Sequence, residues 1–286
     1  MSKIIDGKKL AEKIKDGIVK EIVGGSKNVY NIARPNLAII LIGERPDSEL
    51  YVNLKEREAK KVGIDTHLYK CPENTSELEI LEMIKCLNED KMIDAILVQL
   101  PLPEQIDADT IIMALDPAKD VDGFHPDNLE KLLKNCDAPD LMPPVLATVL
   151  EMLNDINYKI KNKQVCIISN SDIFGYALAH VLDCQGAKVE TIKANDKNLA
   201  EKTNRADVLI TAVGKPKLIK KDMVKQGAVV IDIGIAKQDG QAVGDVDFNG
   251  VKGKAGYITP VPGGVGPMTI AMALKNTLEI YKRKHK

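Results

Sequence analysis

Apolar runs of strand length alternate with amphipathic segments of helix length from one end of the chain to the other, the alternation expected of parallel sheets covered by helices. Two such series are present. In the first, a helix at about 8–22 precedes the strand NLAIILIG at 36–43. A helix at about 48–62, the strand THLYK at 66–70, a helix at about 76–88 and the strand AILVQL at 95–100 complete a βαβαβ unit. A loop rich in Asp, Pro and Gly follows at 116–127, then a polar stretch at 134–140 and a helical pattern at about 146–153, near which the sequence divides. The second series opens with VCIIS at 165–169 and runs through a helix at about 175–184 to KVETIK at 188–193, the spacing of a Rossmann-type first βαβ. Strands at 207–214 and 228–236 follow, and a helix at about 267–284 closes the chain. The basic end KRKHK suits the C-terminal turn of a solvated helix, where cations complement the macrodipole. The predicted class is α/β, with two parallel-sheet domains.

Composition narrows this picture. At 286 residues the chain is long enough for two domains, each with its own core. Lys and Arg number 40 against 41 Asp and Glu, a formal net charge of -1, so there is no basic excess to hold a phosphate backbone and nucleic acid is not an expected partner. The five cysteines, Cys71, Cys86, Cys136, Cys166 and Cys184, are odd in number and lack CxxC spacing. That argues against a disulfide framework and a zinc site, and for reduced thiols. The opening MSKIIDGKKLAEKI has neither the apolar core nor the cleavage site of a signal peptide. A cytoplasmic protein with no membrane partner is expected.

Four places could carry chemistry. Ser48, Tyr51 and Lys55 fall at i, i+3 and i+7, on one face of a helix that starts just after a strand's C-terminal end, where open α/β sheets bind ligands. The competing reading is an exposed polar face. Gln99 sits among apolar residues at a strand end, where Pro101 and Pro103 force the chain out of the sheet. The segment KDVDGFHP offers Asp120, Asp122 and His125 around Gly123. A carboxylate gripping a polar ring suits it better than a metal, because no second histidine is nearby. The segment TPVPGGVGPMT at 259–269 holds three Pro and three Gly before a helix, a combination that presents backbone N–H groups to a ligand. By contrast, the turn SNSDIFG after the first Rossmann strand has Gly175 as its lone glycine and lacks GxGxxG.

SxxYxxxK at 48–55, VQLPLP at 98–103, KDVDGFHPDN at 119–128 and TPVPGGVGPMT resemble, in order, the signature segments of the bifunctional methylenetetrahydrofolate dehydrogenase/methenyltetrahydrofolate cyclohydrolase (FolD) family. IDGKKLA, GAVVIDIGI and GDVDF extend the resemblance over nearly the whole chain. The resemblance implies a folate-binding catalytic domain at 1–144, with the helix at 267–286 packing back on it, and a Rossmann-type nucleotide-binding domain at 145–266. It implies tetrahydrofolate substrates in a cleft between the domains, the pterin ring near Tyr51 and bound by Asp122, and Lys55 as the central cyclohydrolase residue with Gln99 beside it. Ser48, Pro262, Gly263 and Gly264 are implied substrate residues. Ser169, Asn170, Ser171, Gly175, Lys193 and Ile235 are implied cofactor residues; no metal and a homodimer are implied.

This chain departs from the family pattern on the cofactor side. The nucleotide turn usually reads GRSxIVGxP, and here Asn170 replaces the phosphate-binding Arg. Lys193 and Ala194 replace a His-Ser pair, and Pro143, Pro144, Val145 and Leu146 replace Pro-Cys-Thr-Pro. The expected activity is oxidation of 5,10-methylenetetrahydrofolate with NADP, then hydrolysis of the methenyl form to 10-formyltetrahydrofolate. The alternatives are an NAD-dependent enzyme, a cyclohydrolase with a degenerate cofactor site, a non-catalytic folate-binding protein, and an unrelated two-domain dehydrogenase that the missing GxGxxG disfavours.

Overall fold

The computed structural model describes residues 2–24, 34–136, 141–238 and 240–286; positions 137–140 of the polar stretch at 134–140 lie outside them. The elements begin with β1 (Lys3–Ile4), α1 (Gly7–Gly24), β2 (Asn36–Ile42), α2 (Pro46–Val62), β3 (Asp65–Cys71), α3 (Glu77–Glu89) and β4 (Ala95–Val98). Next come α4 (Ala108–Met113), α5 (Pro126–Lys134), α6 (Pro144–Asp155), β5 (Gln164–Ser169), α7 (Asp172–Cys184), β6 (Lys188–Ile192) and α8 (Leu199–Arg205). The chain ends with β7 (Val208–Ala212), β8 (Val229–Asp232), β9 (Ala236–Gln238), β10 (Gln241–Val243), α9 (Phe248–Val251), β11 (Tyr257–Ile258) and α10 (Val265–Lys284).

Two units form. The first comprises the described residues of Ala11–Lys131, Pro139–Pro144 and Ile270–Lys286. Its sheet has the order β3-β2-β4, all parallel. The side chains of β2 alternate between two cores: Leu37, Ile39 and Leu41 pack with Ile18, Val52, Ala59, Ile270, Leu274 and Leu278, while Ala38, Ile40 and Ile42 pack with Ile80, Ile84 and Leu87. That is the period of two along a strand covered on both faces, and it explains why β2 reads as an unbroken apolar run. Helix α2 starts with Pro46 in its first turn and stops at Gly63 in the left-handed conformation. Ser76 and Glu79 close a capping box at the start of α3.

The second unit comprises the described residues of Met1–Leu10, Leu132–Ala138 and Val145–Thr269. Its six strands run in the order β1-β11-β8-β7-β5-β6, every pair parallel. Residues 2–10 group with this unit, where Lys3 and Ile4 pair with Tyr257 and Ile258. A two-residue strand carries too weak a period to be seen in sequence. Helix α7 begins three residues before its predicted start, since Ser171 accepts the N–H of Phe174 and caps it. Helix α10 likewise starts at Val265, inside the Gly/Pro-rich segment.

Two expectations are corrected. Cys136 and Cys184 form a disulfide across 48 residues of sequence, while Cys71, Cys86 and Cys166 are unbridged. The end of α5 and the end of α7 converge, a juxtaposition that linear spacing does not encode. The KRKHK terminus is not simply solvated. Lys284 donates to the carbonyls of Lys91 and Ile93 and to the buried carboxylate of Asp94, which also meets His285 Nε2 at 3.1 Å. Among the described residues, no helix is long and apolar enough to cross a membrane.

Helices α1 and α2 are joined by Glu58, which is 8% exposed. Its carboxylate accepts from Lys15 of α1 and from Arg57 and Lys61 of its own helix. Burial pushes the Glu58 carboxyl up, but the three hydrogen-bonded cations outweigh burial and hold it at about 2. A depressed folded-state value means stabilisation that is full above the unfolded value and is lost as pH falls towards about 2. Urea titrations at pH 7, 4 and 2.5 are expected to show an acid loss, of which Glu58→Gln removes a part no larger than about 3 kcal/mol. An unchanged acid limb in that variant would show that the cluster does not contribute.

Candidate active site

In the first unit, β2 leads through α2 to β3 on one side of it, and β3 leads through α3 to β4 on the other. The strand order therefore reverses beside β2, and the ends of β2 and β4 frame the crevice where open α/β sheets take ligands. Helix α2 starts there. Lys55 projects from α2 and its Nζ donates to Gln99 Oε1 at 2.9 Å. Gln99 lies just past the end of β4, its N–H still bonded to Ile40 O at 2.9 Å and its side-chain amide donating to Leu100 O at 2.6 Å. The predicted strand thus ends at Val98, and the leftover ladder bond fixes Gln99 as it turns out of the sheet.

Asp122 arrives by a different route. Residues 119–121 run parallel to β4, with Ile96 N–H donating to Lys119 O and Val121 N–H to Ile96 O. Asn276 of α10 clamps the Val121 and Met142 carbonyls. Gly123 turns the chain at φ +67, where an added Cβ would sit 3.2 Å from Pro143 N, so a residue without Cβ suits the turn. Asp120 and His125 serve the loop itself. The Asp120 carboxylate accepts from His125 N–H and Asn128 Nδ2, and His125 Nδ1 accepts from Asp127 N–H.

The predicted face of α2 is not an exposed polar one. Ser48 is buried, and its Oγ has no hydrogen-bond partner. Tyr51 is half-buried against the core, and burial pushes its hydroxyl up. Burial lowers the Lys55 amine, against the opposing pull of the Asp122 charge. Burial pushes the Asp122 carboxyl up to about 6, with Lys55 pulling it down and Asp120 adding to the rise. An amine displaced towards its neutral form by burial, held by an amide and acted on by a carboxylate charge, has the chemistry to accept a proton and return it.

The second unit reverses strand order in the same way, between β5 and β7. Ser169 Oγ accepts from Ser171 N–H and donates to Ser171 O, and so fixes the turn into α7. Asn170 and Ser171 are exposed on that turn. Gly175 is inside α7, where a Cβ would come 2.8 Å from Thr191 Cγ2 of β6; its smallness brings helix and strand together. Ile235 is 46% exposed just beyond β8, near Gly214. Lys193, at the end of β6, donates to Asn170 O at 3.0 Å and pairs with Asp172. The sheet and its open turn fit a dinucleotide, but Lys193, whose Nζ reaches Asn170 O on that turn, is already engaged by the carboxylate of Asp172 in the first turn of α7. Pro262, Gly263 and Gly264 also belong to this unit, where Gly263 O accepts from Lys8 N–H at 3.2 Å.

Two residues of this cradle escaped the sequence reading, although VIDIGI and GDVDF contain them. Asp245 is fully buried and accepts from Thr211 Oγ1, Val213 N–H and Lys215 N–H at 2.7–2.8 Å. It thereby holds the loop after β7. Asp232, at the end of β8, accepts from Gly234, Asp245 and Val246 N–H. Burial, reinforced by the Asp245 charge, pushes the Asp232 carboxyl up to about 7 against those three donors. A Cβ on Gly234 would lie 2.1 Å from Asp245, and one on Gly244 2.1 Å from Asp232. The clue in sequence is the pairing of each Asp with a Gly that lets the other carboxylate approach.

Fold and site together define a two-unit α/β enzyme, with a buried lysine held by an amide at the switch point of one sheet and a Rossmann-type turn at that of the other. Residues 5–122 match the tetrahydrofolate dehydrogenase/cyclohydrolase catalytic domain, and residues 143–285 match the NAD(P)-binding domain of the same family. The bifunctional protein FolD of Sulfurihydrogenibium sp. is 48% identical over 282 residues, covering 98% of each chain. The crystal structure of the bifunctional FolD enzyme from Campylobacter jejuni is similar with a TM-score of 0.92 at 38% identity, covering 99% of both chains. That of the Trypanosoma brucei enzyme, complexed with NADP and an inhibitor, gives a TM-score of 0.95 at 33% identity, covering 100% of this chain and 99% of that one. The chain belongs to the tetrahydrofolate dehydrogenase/cyclohydrolase family.

Asp245→Asn presents an amide N–H to donors that now meet an acceptor, so the variant is expected to lose about 2–4 kcal/mol of stability. Urea unfolding followed by circular dichroism reads this directly. A parent-like midpoint would mean that the carboxylate does not hold the β7 loop.

Proposed function

We propose that the chain oxidises 5,10-methylenetetrahydrofolate to the methenyl form with NADP, then hydrolyses that product to 10-formyltetrahydrofolate through Lys55. The observation that carries this reading is the Lys55 amine, lowered by burial and oriented by Gln99 Oε1 at 2.9 Å. Hydration of the methenyl cation needs an acceptor for the proton of the attacking water and a donor for the ring nitrogen that leaves. Neutral Lys55 takes the first proton and, as the ammonium, supplies the second. A cationic substrate also disfavours the ammonium form before the reaction begins.

In this reading Asp122 accepts two hydrogen bonds from the aminopyrimidine edge of the pterin, Tyr51 lies along the ring, and the unpartnered Ser48 hydroxyl meets a polar group of the substrate. Pro262, Gly263 and Gly264 are assigned to the substrate on the family resemblance alone. NADP accepts a hydride from the methylene carbon, a step that needs no acid or base from the protein. Ser169, Asn170, Ser171, Gly175 and Ile235 would hold the dinucleotide, with Lys193 meeting the 2′-phosphate. Family resemblance alone supports a cytoplasmic homodimer.

Lys55→Met is expected to abolish methenyltetrahydrofolate hydrolysis by at least about 100-fold while hydride transfer survives. In the parent, hydrolysis rises with pH as Lys55 deprotonates, at a value below the ordinary 10.5. Because the Asp122 charge raises that value, Asp122→Asn is expected to move the limb to lower pH while weakening folate binding. Hydrolysis at the parent rate in Lys55→Met removes the lysine from the chemistry.

The cofactor choice rests on the Lys193–Asp172 pair. Its lysine side chain is 43% exposed, so freeing Lys193 with Asp172→Asn is expected to tighten NADP by about three- to fivefold, the worth of an exposed ion pair. Lys193→Ala is expected to weaken NADP and leave NAD unchanged. Fluorescence titration with both nucleotides reads the affinities without turnover; a parent that prefers NAD overturns the assignment of Lys193.

A further inference from the structure

The disulfide partners lie outside both sites described above. Cys136 is exposed just beyond α5, and Cys184 is half-buried at the last turn of α7. One helical turn before Cys184 on the same face, His180 brings Nε2 to 3.5 Å from the Cys184 sulfur. The other thiols contrast with this pair. Burial raises Cys71 and pushes Cys166 up to about 12, and Cys86 is exposed with no bridge.

We propose that Cys136 and Cys184, with His180, form a thiol–disulfide exchange site whose co-reactant is a small thiol or dithiol. Exposure directs an incoming thiolate to the Cys136 sulfur. A bond forms between that sulfur and the attacking sulfur, and the Cys136–Cys184 bond breaks. Cys184 leaves as a thiolate beside the imidazole, which can stabilise it by donating a proton from Nε2. A second thiol then resolves the mixed disulfide, releasing Cys136. In balance, one protein disulfide and two thiols give two protein thiols and one external disulfide. A metal is the competing occupant, since the three ligand atoms lie within 4.8 Å of one another; the joined sulfurs favour exchange.

The full-length chain is treated with oxidised glutathione, then with or without a low concentration of dithiothreitol under native conditions. It is next denatured, labelled with a maleimide and weighed. Oxidised protein is expected to take three labels, at the unbridged Cys71, Cys86 and Cys166, and reduced protein five, with peptide mapping locating the 136–184 link. His180→Gln is expected to slow native reduction about tenfold without changing the melting temperature of the oxidised form, a readout that a merely structural histidine would not separate. Five labels after the oxidation step, or an unchanged reduction rate in His180→Gln, would falsify the proposal. So would one zinc retained by the reduced chain through dialysis and blocking reoxidation.

Discussion

A parallel sheet cannot fold back through a tight hairpin, so each strand must return through a helix, and a reversal of strand order opens a crevice at the strands' C-terminal ends. Both units of this chain obey that constraint. In the first, β2 is flanked by β3 and β4 and the crevice collects Lys55 and Gln99; in the second, β5 is flanked by β6 and β7 and the crevice collects the turn at 169–171 and the loop after β7. Neither set of residues is close in sequence. What the two sheets do with equivalent positions differs: one buries an ionisable amine, and the other leaves an open turn.

The two sites also differ in how charge is handled. Lys55 and Asp122 are both displaced towards their neutral forms by burial, and each partly restores the charge of the other. Both shifts favour the uncharged forms, the Lys55 amine moving down and the Asp122 carboxyl up to about 6, and such opposed displacements mark groups suited to proton exchange. In the nucleotide unit, the buried carboxylates of Asp232 and Asp245 spend their lone pairs on backbone N–H groups and hold loop shape. The exposed Lys193–Asp172 pair can be exchanged for a ligand phosphate at small cost. Rigid carboxylates thus support a cradle whose charged edge is adaptable.

The cofactor side is where this chain departs from the pattern its family resemblance implies, and the structure gives the departures a physical form. Asn170 brings no cation, and its carbonyl accepts from Lys193. Ser171 uses its hydroxyl to start α7, earlier than a glycine-poor turn suggests. The helix so begun ends at Cys184, bonded to Cys136.

The sequence by itself determined the alternation of strand and helix, because the apolar period along β2, β4, β5 and β8 is dictated by burial on two faces. It also put Ser48, Tyr51 and Lys55 on one helical face and Gln99 at a strand end, and the structure brings Lys55 Nζ to 2.9 Å from Gln99 Oε1. Tertiary structure alone decided the rest. The edge strand β1 has no period of its own and takes its place by pairing with β11. Asp232 and Asp245 look like ordinary acidic residues until their mutual approach through Gly244 and Gly234 is seen. Cys136 and Cys184, 48 residues apart, meet because helices bring their ends together, and sequence spacing has no means of recording a distance set by packing.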